Sequence, residues 1–170
     1  LDHPATSSEA ITAAGLDYAV RLKPVTTVIN QKRITVPNTF ATVRSDTNAV
    51  LGVVGARYQP IQNKDTFEFF DALVGSDEAI YHTAGVLGQG ERIWLLAQLP
   101  DFIRVGKNDL VQKFLLLANS HDGTSTVRAK VTPIRVVCSN TLSVALSGSE
   151  QEVRIRHTAN AKTRLEEAHK

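Results

Sequence analysis

An α+β fold, a mostly antiparallel sheet built from hairpins with helices packed on it, is predicted by three features of this sequence. Short apolar or alternating runs recur between turn signals. A few segments carry helix caps and an apolar stripe. Two runs, residues 93–97 and 114–118, are apolar without alternation, so those strands need cover on both faces.

The elements follow in order. Thr6 to Glu9 has capping-box spacing ahead of a short helix over 10–14, which Gly15 can end. Strand-like runs occupy 18–22, 25–29 and 33–36. A further pair, 40–44 and 50–54, flanks the turn Ser45-Asp46-Thr47-Asn48. Asn63 is placed to cap a helix through Val74, with Phe67, Phe70, Leu73 and Val74 as its stripe and Gly75 as its end. Runs 79–87 and 92–99 flank a Gly-containing hairpin turn at 88–91. Runs 113–118 and 124–131 flank a turn carrying Asp122-Gly123. Pro133 interrupts the last run, residues 134–137 restart it, and Ser139 or Asn140 caps a helix over 141–146. The helices starting at Asn63 and Ser139 are the expected covers of the two-faced strands.

The 170 residues suit a single domain, with an N-terminal β lobe over 16–60 and a core over 61–157. Beginning at Leu1, containing no methionine and stopping in an uncapped helical pattern, the chain is expected to be part of a longer one. Cys138 is the only cysteine, which rules out an internal disulfide and suits a reducing cytoplasm. No run approaches the roughly 18 apolar residues of a membrane span, so no membrane partner is expected. The net charge of +2 is too small to indicate nucleic acid by itself, but its distribution is uneven. Residues 124–170 hold eight Lys or Arg against four Asp or Glu, while residues 61–123 hold five against nine.

Within the basic half, Arg128 and Lys130 alternate with Val127, Ala129 and Val131, and Arg154 and Arg156 alternate with Val153 and Ile155. Arg135 and His157 lie on neighbouring segments. If the two strands pair, their cations can line a groove that neutralises a phosphate backbone. The alternative is an ordinary solvated strand face. Tyr58, between Arg57 and Pro60, is the candidate for stacking on a base, whereas Trp94 belongs to the core. Cys138 with His157 could form a thiolate and its base, but a small side chain at a strand end explains the cysteine better. His121-Asp122 fits turn chemistry, and the histidines lack metal-ligand spacing. The glycines from Gly85 to Gly90 read as a hairpin and not a phosphate loop, since they join strand to strand. No cofactor is expected.

Three strings, LGVVGARYQPIQN at 51–63, LLLANSHDGTSTVRAKVTPIRVVCSNTL at 115–142 and RIRHT at 154–158, resemble the phage/plasmid-like protein family, a family built on a domain of unknown function. That resemblance implies a phage, prophage or plasmid setting and carries no catalytic residue. At the level of architecture, hairpin strands followed by a helix are similar to the core of single-strand-annealing recombinases of the Redβ and Erf class. That similarity implies a basic groove and ring or filament assembly. The expectation is therefore a non-enzymatic domain binding single-stranded DNA through Arg128, Lys130, Arg135, Arg154, Arg156 and Tyr58, working as a homo-oligomer. The alternative is an assembly module without nucleic-acid binding.

Overall fold

The computed structural model of the chain describes residues 7–74, 80–105, 109–147 and 152–167. Thr6, Gly75 and Ala79, singled out above as cap, helix end and strand start, lie outside them.

Helix α1 (Ser7–Ala13) ends as expected. Gly15 takes a left-handed φ of 66°, and the Leu16 amide donates back to the Ile11 carbonyl at 2.9 Å. Strands β1 (Val20–Ile29), β2 (Lys32–Arg44) and β3 (Val50–Gly55) then form an antiparallel sheet in that order. The four short strands expected over 18–36 and 40–44 are thus two long ones. Pro24 lies within β1, an edge strand, the kind of strand that tolerates proline because its outward-pointing amides make no ladder bond. The irregular stretch in β2 is absorbed as a bulge. Between the pairs Pro24↔Phe40 and Thr26↔Thr35, Val25 alone stands opposite Val36, Pro37, Asn38 and Thr39.

Helix α2 (Asn63–Val74) buries Phe67, Phe69 and Phe70. Asn63 occupies its first residue but does not cap it. Its side-chain amide donates to the Leu16 carbonyl at 2.9 Å and its oxygen faces His121 Nε2 at 2.7 Å.

Strands β4 (Ile80–Leu87), β5 (Arg92–Val105), β6 (Asp109–Ser120), β7 (Val127–Thr132) and β8 (Glu152–Ile155) make a second, fully antiparallel sheet in chain order. Helix α3 (Ser139–Ser147) lies between β7 and β8, and α4 (Ala161–Glu167) follows β8. Residues 134–137 form no strand, although Val136 is buried and its carbonyl accepts a hydrogen bond from Thr83 Oγ1 at 3.0 Å.

Alternation along β5 and β6 divides the core in two. Ile93, Leu95, Ala97 and Leu117 join Val127, Ala129, α2 and α4 on one face. Trp94, Leu96, Phe114, Leu116 and Ala118 pack with Leu142 and Ala145 of α3 on the other. Both faces are covered, as the unbroken apolar runs require. Gly85 sits opposite Trp94, where a Cβ would fall 2.2 Å from the indole ring. The glycine makes room for the tryptophan and cradles no phosphate. Among the described residues no helix is long and apolar enough to cross a membrane.

Candidate nucleic-acid interface

The turn between β6 and β7 is where the two sheets meet. His121 is fully buried, its amide donates to the Glu91 carbonyl at 2.7 Å, and its carbonyl accepts from Thr42 Oγ1 of β2 at 2.6 Å. Its Nε2–H donates to the Asn63 side chain. Asp122 then accepts from the Thr124 amide at 2.9 Å, and Arg92 approaches the same carboxylate at 3.8 Å. Burial works to raise the Asp122 carboxyl, but hydrogen bonds from Thr124 and Ser120 and the charge of Arg92 outweigh it and hold it below its usual range. Gly52 of β3 lies so close that a Cβ there would stand 2.5 Å from the Asp122 Cα.

A second pin is His157. The Gln59 amide donates to its carbonyl at 3.1 Å, and the Ile61 amide donates to its Nδ1 at 3.3 Å, which places the proton of the neutral ring on Nε2. Asn119 donates to the Ile61 carbonyl at 3.2 Å, so strand β6 and the segment after β8 together hold the loop leading into α2. Tyr58 lies flat on His157, ring centroids 4.9 Å apart and planes 8° from parallel, and its hydroxyl donates to the Ser120 carbonyl at 3.2 Å. Burial, helped by the charge of Asp122, drives the Tyr58 hydroxyl well above its ordinary value. Burial pushes His121 down to about 3, aided by the charge of His157 and opposed by Asp122. His157 is pushed down to about 4, again first by burial. Both rings are neutral at pH 7.

These pins shape an open cleft of about 730 Å³. Its walls are Asn38 and Gly55, the loop Ala56-Arg57-Tyr58, the turn Gly123 to Thr126, and Arg156 to Thr158. Arg57 and Arg156 are exposed there, neither has an ion-pair partner among the described residues, and Thr124, Ser125, Thr126 and Thr158 add hydroxyls. Guanidinium groups beside hydroxyls and backbone amides are the donors that phosphate oxygens take up.

The six residues expected to bind are dispersed. β7 and β8 do pair, with Arg128 directly opposite Arg154. Glu152 resolves the like-charge contact by accepting from both, from Arg154 at 2.6 Å and from Arg128 more closely, and Arg128 also donates to the Leu146 carbonyl of α3 at 2.7 Å. Burial tends to raise Glu152, but those two guanidinium groups hold it below its usual range. The open face expected for Arg128 and Lys130 needs correction. Lys130 is 2% exposed, across from Leu116, and Arg128 is across from Ala118, so both side chains share the face that α3 covers. The need to cover both faces extends from β6 to its neighbour. Arg154 remains exposed on β8. Arg135 is exposed near His82, which burial and then the Arg135 charge push below its ordinary value. Only Arg156 and Tyr58 reach the cleft, and Tyr58 is half-buried against His157 instead of standing free to stack.

Cys138 is exposed at the start of α3, and hydrogen bonds from Thr141 and the local backbone lower its thiol. The small apolar role expected for it is not what the fold gives it. Its contact is Thr141, while His157 accepts from the Ile61 amide and stacks on Tyr58. Among the described residues no group of three or more His, Cys, Asp or Glu side chains is placed to hold a metal ion.

Two cationic features lie outside the residues expected to bind. One is Arg57, expected only as a neighbour of Tyr58. The larger is the β1–β2 hairpin, whose pairs Thr26↔Thr35 to Ile29↔Lys32 run on past the last β2–β3 pair, Thr39↔Gly55. It carries Arg21, Lys23, Lys32 and Arg33, all exposed, and no Asp or Glu occurs between Asp17 and Asp46. That gap in the acidic residues was the available signal. Asn38 and Gly55 line the cleft, so the cleft lies at the foot of this arm.

No curated protein and no solved structure matches the chain. Residues 50–170, well over half of it, match the domain of unknown function DUF932. The match takes in β3, the loop after it, the whole second sheet and every helix from α2 onward. The chain therefore belongs to the DUF932 family.

Proposed function

We propose that this chain is a non-enzymatic DNA-binding domain of a phage or plasmid protein, acting in the cytoplasm on single strands during replication or recombination, as an annealing protein does. The observation that carries this reading is the meeting of Arg57 and Arg156, both exposed and without ion-pair partners among the described residues, in one open cleft lined with hydroxyls. Recognition at the cleft is led by phosphate, because the ring of Tyr58 is already stacked on His157. Sequence preference should accordingly be weak and salt dependence strong.

Fluorescence anisotropy of the full chain with a labelled single-stranded oligonucleotide, over a salt series, tests this. Affinity should fall steeply with salt, and Arg57→Glu with Arg156→Glu should lower the slope of log affinity against log salt by about 2. Folded protein that binds no DNA at low salt rejects the proposal.

A second reading, an assembly module without nucleic-acid binding, has one supporting observation. Val50 and Val53 are exposed on β3, on the sheet face they share with Val43 and Ala41. Discrete oligomers by light scattering together with no DNA affinity would favour it.

A further inference from the structure

Beyond the register shift at Val25, the β1–β2 hairpin is a bare two-stranded ribbon. Its tip, Asn30-Gln31, has φ values of 48° and 63°, the left-handed pair of a two-residue turn whose twist matches the strands. The pairing register sorts its side chains into two faces. Thr27, Ile29, Lys32 and Ile34 lie on one, and Thr26, Val28, Arg33 and Thr35 on the other. Each face thus carries one cation, aliphatic groups and threonine. Val28, Ile29 and Ile34 are 67%, 52% and 46% exposed. Apolar groups left this open on a projecting element are placed to be covered by a partner.

The charge selects the partner. The hairpin has four exposed cations and no carboxylate, and the cleft at its foot adds Arg57 and Arg156. A second copy pairing arm to arm about a two-fold axis would bring the Lys32 and Arg33 of both copies into one interface with no carboxylate on either arm to offset them, which like-charge repulsion opposes. A polyanion gains from every one of these groups. Two strands spaced about 4.8 Å apart, with their side chains, fit a major groove about 12 Å wide, where threonine and aliphatic groups can meet thymine methyls and lysine and arginine can meet phosphates or guanine edges.

We infer that the β1–β2 arm inserts into the major groove of duplex DNA while the cleft at its foot grips the adjoining backbone. The inference rests on the DNA-binding reading above and adds duplex structure and groove to it.

The test compares single-stranded and duplex oligonucleotides of equal length by anisotropy, with the full chain and two variants checked for folding by circular dichroism. Lys32→Glu with Arg33→Glu should weaken duplex binding at least tenfold and single-strand binding by a clearly smaller factor, whereas Arg57→Glu with Arg156→Glu should weaken both alike. Methyl green, which occupies the major groove, should displace the protein from duplex, and the minor-groove ligand distamycin should not. Unchanged duplex affinity in the arm variant, or displacement by distamycin alone, overturns the inference and leaves the DNA-binding reading standing. No binding to either form by the folded wild type ends both. Light scattering that shows the arm variant breaking up a wild-type oligomer would assign the arm to self-association and overturn the inference as well.

Discussion

Two buried histidines, His121 and His157, hold the walls of the cleft in place, and both do so as neutral rings. Each has its folded value lowered, to about 3 and about 4, from an ordinary value of 6.5. Below pH 6.5 the unfolded chain binds protons that the folded chain refuses, so stability is full above that pH and declines as the pH falls towards 4. Urea titrations at pH 7 and pH 5.5 should differ by about 2 kcal/mol for the pair together, with the greater stability at pH 7. A stability unchanged across that interval would mean that the rings are not buried neutral. The same residues explain why the Tyr58 ring is not free on both faces. Sequence shows an aromatic between a basic residue and a proline, but not that a histidine 99 positions away would cover its ring.

At the scale of elements, the join between the two sheets depends on close backbone approach. Gly52 on β3 faces Asp122 in the β6–β7 turn, and a Cβ there would meet backbone that no rotamer change can clear. Gly52→Ala should therefore push β3 away from the turn. It should cost about 2 kcal/mol in urea unfolding and loosen the cleft, which shares Gly55 with β3 and Gly123 with the turn. A variant as stable as wild type, with unchanged DNA affinity, would show that the contact is unimportant. Helix α3 illustrates how far an element can reach. It covers the second face of the sheet, on which Lys130 is buried and Arg128 half-buried, and Arg128 then closes the helix's last turn through the Leu146 carbonyl.

Over the whole molecule, a net charge of +2 conceals a segregated surface. The hairpin and the cleft present six exposed cations, Arg21, Lys23, Lys32, Arg33, Arg57 and Arg156. Acidic residues concentrate in 61–123 instead. Local potential and not net charge governs attraction to a polyanion. The protein should be retained on heparin at low ionic strength, and Lys32→Glu with Arg33→Glu should elute at clearly lower salt. Flow-through of the wild type would mean that the segregation is too weak to matter.

The sequence by itself determined the α+β class, the hairpin succession, the two helices that cover the sheet and the double-faced core strands. Each of these follows from local periodicity, caps and turn residues, which act between near neighbours in the chain. Only the tertiary structure decided which cations are free. Arg128 and Lys130 alternate as neatly as any surface pair, yet α3 closes over them. Arg57 and Arg156 lie 99 residues apart and meet because His157 pins the loop that carries Tyr58. Burial of a charge depends on what packs above its strand, and the alternation of a single strand holds no information about that.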